Sequence, residues 1–167
     1  MYEYENAFIE MYKGATYAPL TSWDISCKNI YGAINTGQEL QCLKVLEKEY
    51  NWVQFPELRI PLLHKKTVVI TNSRKEIIWV SRRFYHMTGY LPSEAIGKKP
   101  IFLQGPNTDK NTLCLINEKL KALESSNHKI LNYKKDGRQY ICDLEIHPIF
   151  DKFHTPVNFV AIEFETV

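Results

Sequence analysis

The spacing of apolar positions changes period along the chain. In "TGQELQCLKVLEKEYNW", Leu40, Leu43, Leu46 and Tyr50 recur at helical spacing, with Lys and Glu on the other face. This predicts an amphipathic helix. Before it, "SWDISCKNIYGAI" predicts a shorter helix with Thr21 or Ser22 as N-cap. After it, "FPELRIPLL" carries two prolines and predicts an extended connection. Residues 1–65 therefore read as an N-terminal helical cap and linker.

From Lys66 onward, short β-rich runs take over. "KTVVIT" and "EIIWVS", separated by "NSRK", predict a hairpin. "RRFYHMTGY" predicts a short helix that Gly89 ends in a left-handed conformation. "LPSEAIG" predicts another turn closed by Gly97. "NTDKNTLCLINEKLKALESSN" predicts the longest helix of this half, with Leu113, Ile116, Leu120 and Leu123 as its apolar stripe. Three strands follow: "HKILNYKK", "RQYICDLEIHPIF" and "VNFVAIEFET". Asp136-Gly137 is a strong hairpin signal between the first two. Hairpins around a helical insert predict an α+β domain over residues 66–167, an antiparallel sheet with helices on one face.

Composition narrows the function classes. The chain of 167 residues carries 21 basic and 19 acidic residues, a net charge of +2. A dedicated nucleic-acid binder would show a clustered basic face. No apolar run approaches a membrane span, and "MYEYENAFIEMYKG" is not a secretory signal. Cys27, Cys42, Cys114 and Cys142 lie far apart with no CxxC. Reduced thiols in a cytoplasmic protein, and no zinc site, are the expectation. His86 and Met87 are residue types that can hold haem, although a lone His on a short helix is ordinarily structural or exposed. No triad, paired-carboxylate, metal or Gly-rich phosphate motif stands out, so an enzyme is not expected.

The order of elements and four motifs, "VVITN", "IIWVSRRFYHMTGY", "GKKPIFLQGPNTD" and "LNYKKDGRQY", resemble a PAS domain over roughly Lys66–Val167. "FLQGPNTD" with "LNYKKDG" is most similar to the LOV branch, the flavin-binding blue-light sensors. The resemblance implies a five-stranded antiparallel sheet cupping short helices around a small pocket. It also implies three tests. The family motif G-R-N-C-R-F-L-Q-G reads "GKKPIFLQG" here, so the adduct cysteine is replaced by Pro100. The two phosphate-binding arginines fall at Ile101 and Asn117. Of the polar groups that read the ring edge, Asn132 matches, a second asparagine is Cys142, and the last-strand glutamine is Glu163. Gln104 of "FLQG" is retained. The candidate pocket residues are thus Gln104, Asn132, Cys142 and Glu163. With thiol and phosphate clamps missing, the expectation is no FMN and no adduct photocycle, with an unidentified small ligand as the alternative.

Strand alternation gives an independent view of the pocket. Tyr140, Cys142, Leu144 and Ile146 share one face, and Phe159 and Ala161 join Asn132 and Glu163 on it. That face either fills as a core or holds a small organic ligand. A carboxylate there is costly alone, so Glu163 is paired, protonated, or turned to solvent by a local bulge. On the opposite face, Leu131, Tyr133, Ile141, Val160, Ile162 and Phe164 are too apolar to stand in water. The N-terminal helices, a second copy, or both are expected to cover them. The function expected is a PAS signalling module acting by protein–protein interaction. It would form a homodimer through the outer sheet face and N-terminal helices, or dock a separate signalling partner. No output domain follows Val167, so output is expected in trans or through the N-terminal segment. The alternative is a small-ligand sensor, possibly for flavin.

Overall fold

The computed structural model describes residues 36–53 and 66–166. Two compact units divide at Tyr50 and Asn51. The first contains the helix α1, Thr36–Tyr50, whose Leu43 and Leu46 are buried on the apolar stripe the spacing predicts, with Leu40 and Tyr50 half-buried and Cys42 buried beside it. The shorter helix around Ser22 and the proline-bearing connection lie outside the described residues.

The second unit is a five-stranded antiparallel sheet with helices inserted between its second and third strands. In chain order it runs β1 (Thr67–Asn72), β2 (Ile77–Val80), α2 (Arg83–Thr88), α3 (Pro92–Ala95), a 3-10 turn (Pro100–Leu103), α4 (Lys110–Ala122), β3 (Ser126–Tyr133), β4 (Gln139–Phe150) and β5 (Pro156–Thr166). The spatial order is β2-β1-β5-β4-β3, so the last strand closes the middle of the sheet. The turns are set locally. The Asn72 side chain accepts from the backbone N–H of Arg74 and Glu76 in the first hairpin. Gly89 ends α2 at φ 77°, as its position predicts. Asp109 caps α4 by accepting from the Thr112 N–H at 2.8 Å.

Directly paired residues place their side chains on one face. One row across the sheet is His128, Leu144, Glu163 and Thr67. The next row is Ser126, Ile146, Ala161 and Val69, and on the other side lie Ile130, Cys142 and Glu165, then Asn132 and Tyr140. This is the cup face that alternation predicts. It packs into two apolar clusters. One is Val69, Ile77, Val80, Phe84, Ala95 and Leu103. The other holds Met87, Ile116, Ile130, Tyr140, Cys142, Ile146 and Phe159.

The outer face is covered unevenly. Val68, Ile70, Val160 and Ile162, on β1 and β5, are buried. The Trp52 indole donates to Asn158 at 2.8 Å, and Asn158 in turn donates to the Thr71 carbonyl at 3.1 Å. Trp52 also bridges to Asp151, so residues 51–53 belong to the sheet. Toward the β4 end this cover thins: Ile141 and Phe164 are each 40% exposed, and Leu131 and Tyr133 are half-buried.

Candidate functional site

The "FLQGPNTD" loop is tied to the β3 edge by contacts that need no ligand. A Cβ at Gly105 would fall 2.4 Å from the Tyr133 ring, so glycine is required there for the close approach. The Tyr133 hydroxyl accepts from the Asn107 N–H at 3.0 Å. Thr108 accepts from the Gly105 N–H and donates to the Leu131 carbonyl at 2.7 Å. Asp109 then starts α4. The loop therefore sets where α4 begins and how it lies over the cup.

The structure brings three of the four candidate residues together on the sheet. Asn132, Cys142 and Glu163 are all buried on the cup face of β3, β4 and β5. Gln104 is half-buried and follows the 3-10 turn, not the sheet. Glu163 neither turns to solvent nor pairs with a cation: it is 6% exposed, and its Oε2 has no hydrogen-bond partner among the described residues. Burial pushes its carboxyl up to about 7, while the Cys142 thiol draws it partly back. Of the three states open to Glu163, the packing favours the protonated one.

Tyr140 is a site residue that the sequence reading left among the apolar lining. It is buried, and its hydroxyl makes no hydrogen bond of ordinary geometry among the described residues, although the Asn132 side chain lies close enough to favour the phenolate slightly. Burial first, and the Glu163 charge second, hold the phenol well above its ordinary range. The same two causes, in the same order, raise the Cys142 thiol, so it stays neutral and weakly nucleophilic. Thr67 completes the row beside Glu163 and donates to the Met87 sulfur at 3.5 Å. The signal that would have found Tyr140 was its register opposite Asn132.

The cup face is largely apolar and carries a polar patch. Met87, Ile116, Ile146 and Phe159 supply the apolar wall, and Tyr140, Asn132 and Glu163 the polar floor. The residues that replaced the phosphate clamps lie elsewhere. Ile101 is 66% exposed, and Asn117, also exposed, accepts from Lys75 at 3.2 Å. His86 is exposed while Met87 is buried, so the two do not converge as a metal-binding pair. Among the described residues no group of three or more His, Cys, Asp or Glu is placed to hold a metal ion. No described helix is long and apolar enough to cross a membrane.

A second constellation lies on the outer face. His147 meets Ser125 through Nδ1 at 2.8 Å and Glu145 through Nε2 at 2.7 Å. This is the outline of an acid–base relay. Ser125 is exposed and the other two are partly so, hence water competes for each bond.

Comparison with known proteins follows this geometry. A blue-light photoreceptor of Listeria monocytogenes is 36% identical over 99 residues, 58% of this chain and 39% of the receptor. Phototropin-2 of Oryza sativa subsp. japonica is 34% identical over 104 residues, 60% of this chain and 12% of that protein. The chain thus spans well under half the length of these relatives. Among solved structures, a light-oxygen-voltage domain studied with a flavin analogue matches with a TM-score of 0.64 and 26% identity. The match covers 68% of this chain and 87% of that one. The LOV domain of a blue-light-activated histidine kinase from Erythrobacter litoralis matches with a TM-score of 0.58 and 28% identity, over 60% of this chain and 95% of that one.

These matches correct one expectation. The absence of a cofactor was inferred from Pro100, Ile101 and Asn117, yet the relatives are blue-light photoreceptors and a matching fold is probed through its flavin. The physical reason is position. Pro100 and Ile101 belong to the 3-10 turn and Asn117 to the exposed side of α4, whereas the groups that would meet a ring edge lie buried on the sheet, where Asn132 is kept and Cys142 and Glu163 stand in the other two positions. The sequence model for the PAS domain matches residues 65–165, and the sheet order, helical insert and cup lie within that span. The chain belongs to the PAS domain family, and the blue-light LOV receptors are among its relatives.

Proposed function

We propose that residues 66–167 form the sensory domain of a signalling protein and take a flavin-type ring in the cup, without forming a thiol adduct. Residues 1–65 serve as its helical cap and linker. The observation that carries this reading is the pair of buried oxygens without partners, Tyr140 Oη and Glu163 Oε2, on an otherwise apolar floor. Buried polar groups are rarely left unpaired, so an unpaired pair on a concave face marks a place for a polar-edged ligand. Asn132, Tyr140 and Glu163 would meet the ring edge, with Gln104 at the mouth, and Met87, Ile116 and Phe159 would pack on its faces. A bound flavin supplies visible-light absorption and redox chemistry. The chain offers no sulfur at Pro100, and the thiol that does face the cup, Cys142, is held neutral by burial.

The test is absorption spectroscopy of the protein incubated with riboflavin or FMN, before and after blue illumination. A protein-bound flavin band that does not bleach is expected. Failure to retain either flavin would remove the reading. Bleaching abolished by Cys142→Ala would overturn its thiol-free part.

A second reading, self-association, is favoured by the exposed Ile141 and Phe164 beside the buried Ile162. The outer face near β4 would then meet a second copy of the chain. Light scattering on the wild type and on Phe164→Asp decides it, with a fall in mass expected for the variant.

A further inference from the structure

Two hydroxyl-type donors share the polar floor. Glu163 is fully enclosed on β5, between Thr67 of β1 and Leu144 of β4. Cys142 is its diagonal neighbour, and Tyr140 stands one step further along β4. No cation pairs with it: Lys134, whose ammonium lies over the Tyr140 ring at 5.5 Å, is taken up by Glu165. Cys142 and Tyr140 are neutral, and His128, at the far end of the same row, is held below its ordinary range by burial and by Lys119. On the helical side, Met87 faces the row through Thr67 and carries no charge. Glu165, next on the same strand face, is already joined to Lys134 at 2.7 Å. A carboxylate at Glu163 would therefore stand alone in an apolar enclosure, which strongly favours the acid. The acid has an O–H to place, and so does Tyr140. Neither finds an acceptor among the described residues. A ligand with acceptor oxygens or nitrogens on its edge would satisfy both.

Resting on the ring-binding reading above, we propose that the cup is a proton-gated site: Glu163 must carry its proton to donate to a carbonyl acceptor on the ring edge, so that affinity is high when it is protonated and falls as it ionises. The sign follows from linkage. A ligand that requires the acid form loses affinity by up to about tenfold per pH unit above the point where the free carboxyl ionises. That point lies near 7. Replacing the glutamine-like amide pattern by an acid thus converts a permanent donor into one that pH switches off.

The experiment is a fluorescence titration of the full chain with riboflavin at several pH values from weakly acid to weakly alkaline. Riboflavin lacks the phosphate that would itself titrate in this range. For the wild type the Kd is expected to rise several-fold to tenfold per pH unit on the alkaline side. Glu163→Gln, which always presents a donor, is expected to bind with a Kd independent of pH. A wild-type Kd that is flat, or that falls as pH rises, would overturn the proposal while leaving ring binding intact. No binding at any pH would instead remove the ring reading, and this proposal with it. Carbon-detected NMR of the glutamate carboxyls in the ring-free protein gives an independent readout. One carboxyl titrating near neutrality, absent from Glu163→Gln, is expected. A Glu163 carboxyl titrating with the ordinary surface glutamates would overturn the proposal even if a ring binds.

Discussion

The two clusters on the cup face use the same sheet and differ in what they leave unsatisfied. The one between β1, β2 and the short helices is built from Val69, Ile77, Val80, Phe84, Ala95 and Leu103, with Thr88 buried among them and bonded to the Phe84 carbonyl at 2.7 Å. No polar atom of these residues is left unpaired among the described residues, although the buried Trp79 indole N–H, also on β2, is. The one between β3, β4, β5 and α4 mixes Met87, Ile116 and Phe159 with Tyr140, Cys142, Asn132 and Glu163, and leaves at least two oxygens without partners. A packed apolar cluster stabilises the fold. Unpaired buried polar groups lower stability and persist where something other than stability requires them. The first cluster serves as scaffold, and the second is the one proposed as the site.

The largest effect is expected in the scaffold. Phe84→Ala removes a fully buried ring and should cost about 3–5 kcal/mol in chemical denaturation. A loss below about 1 kcal/mol would mean that this cluster is not the anchor.

Glu163 gives the next largest effect, and its sign separates site from scaffold. Its carboxyl ionises near 4.5 when unfolded and near 7 when folded. The folded state therefore holds the proton more tightly. The stabilisation relative to the ionised group is full below about 4.5 and is lost as pH rises through about 7. The loss is on the order of 3 kcal/mol across this window. Glu163→Gln should abolish that slope in melts measured from pH 4.5 to 8. An unchanged slope would place its origin elsewhere.

The outer face offers a similar contrast within one strand pair. Ile162→Asp places a charge on the buried half and should cost a few kcal/mol, whereas Ile141→Asp, 40% exposed, should change stability by less than about 1 kcal/mol. Equal losses would show that the two halves are covered alike. The smallest effect is expected for Tyr140→Phe. Removing a hydroxyl that has no partner should leave stability unchanged or raise it by up to about 1 kcal/mol, while weakening riboflavin binding. A large loss of stability would reveal a bond from Tyr140 that the floor geometry does not contain.

The chain's own pattern determined a good deal. Short β-rich runs marked all five strands, Asp136-Gly137 marked the turn between β3 and β4, Gly89 marked the end of α2, and Leu43 with Leu46 marked the buried stripe of α1. Alternation sorted each strand's residues into two faces, and the family resemblance pointed to the face that Asn132, Cys142 and Glu163 share. Three things were decided only in three dimensions. Alternation already placed Tyr140 on the cup face, but its pairing opposite Asn132 came from register, which joins positions that no local pattern links. The loss of Pro100, Ile101 and Asn117 as family-type contacts looked decisive along the chain, yet none of them lies on the polar floor of the sheet. And the Glu163 carboxyl is pushed up toward neutrality because β5 inserts between β1 and β4, enclosing a group that in an extended chain would ionise freely. A sequence lists the groups; enclosure, which depends on distant segments meeting, sets their charge.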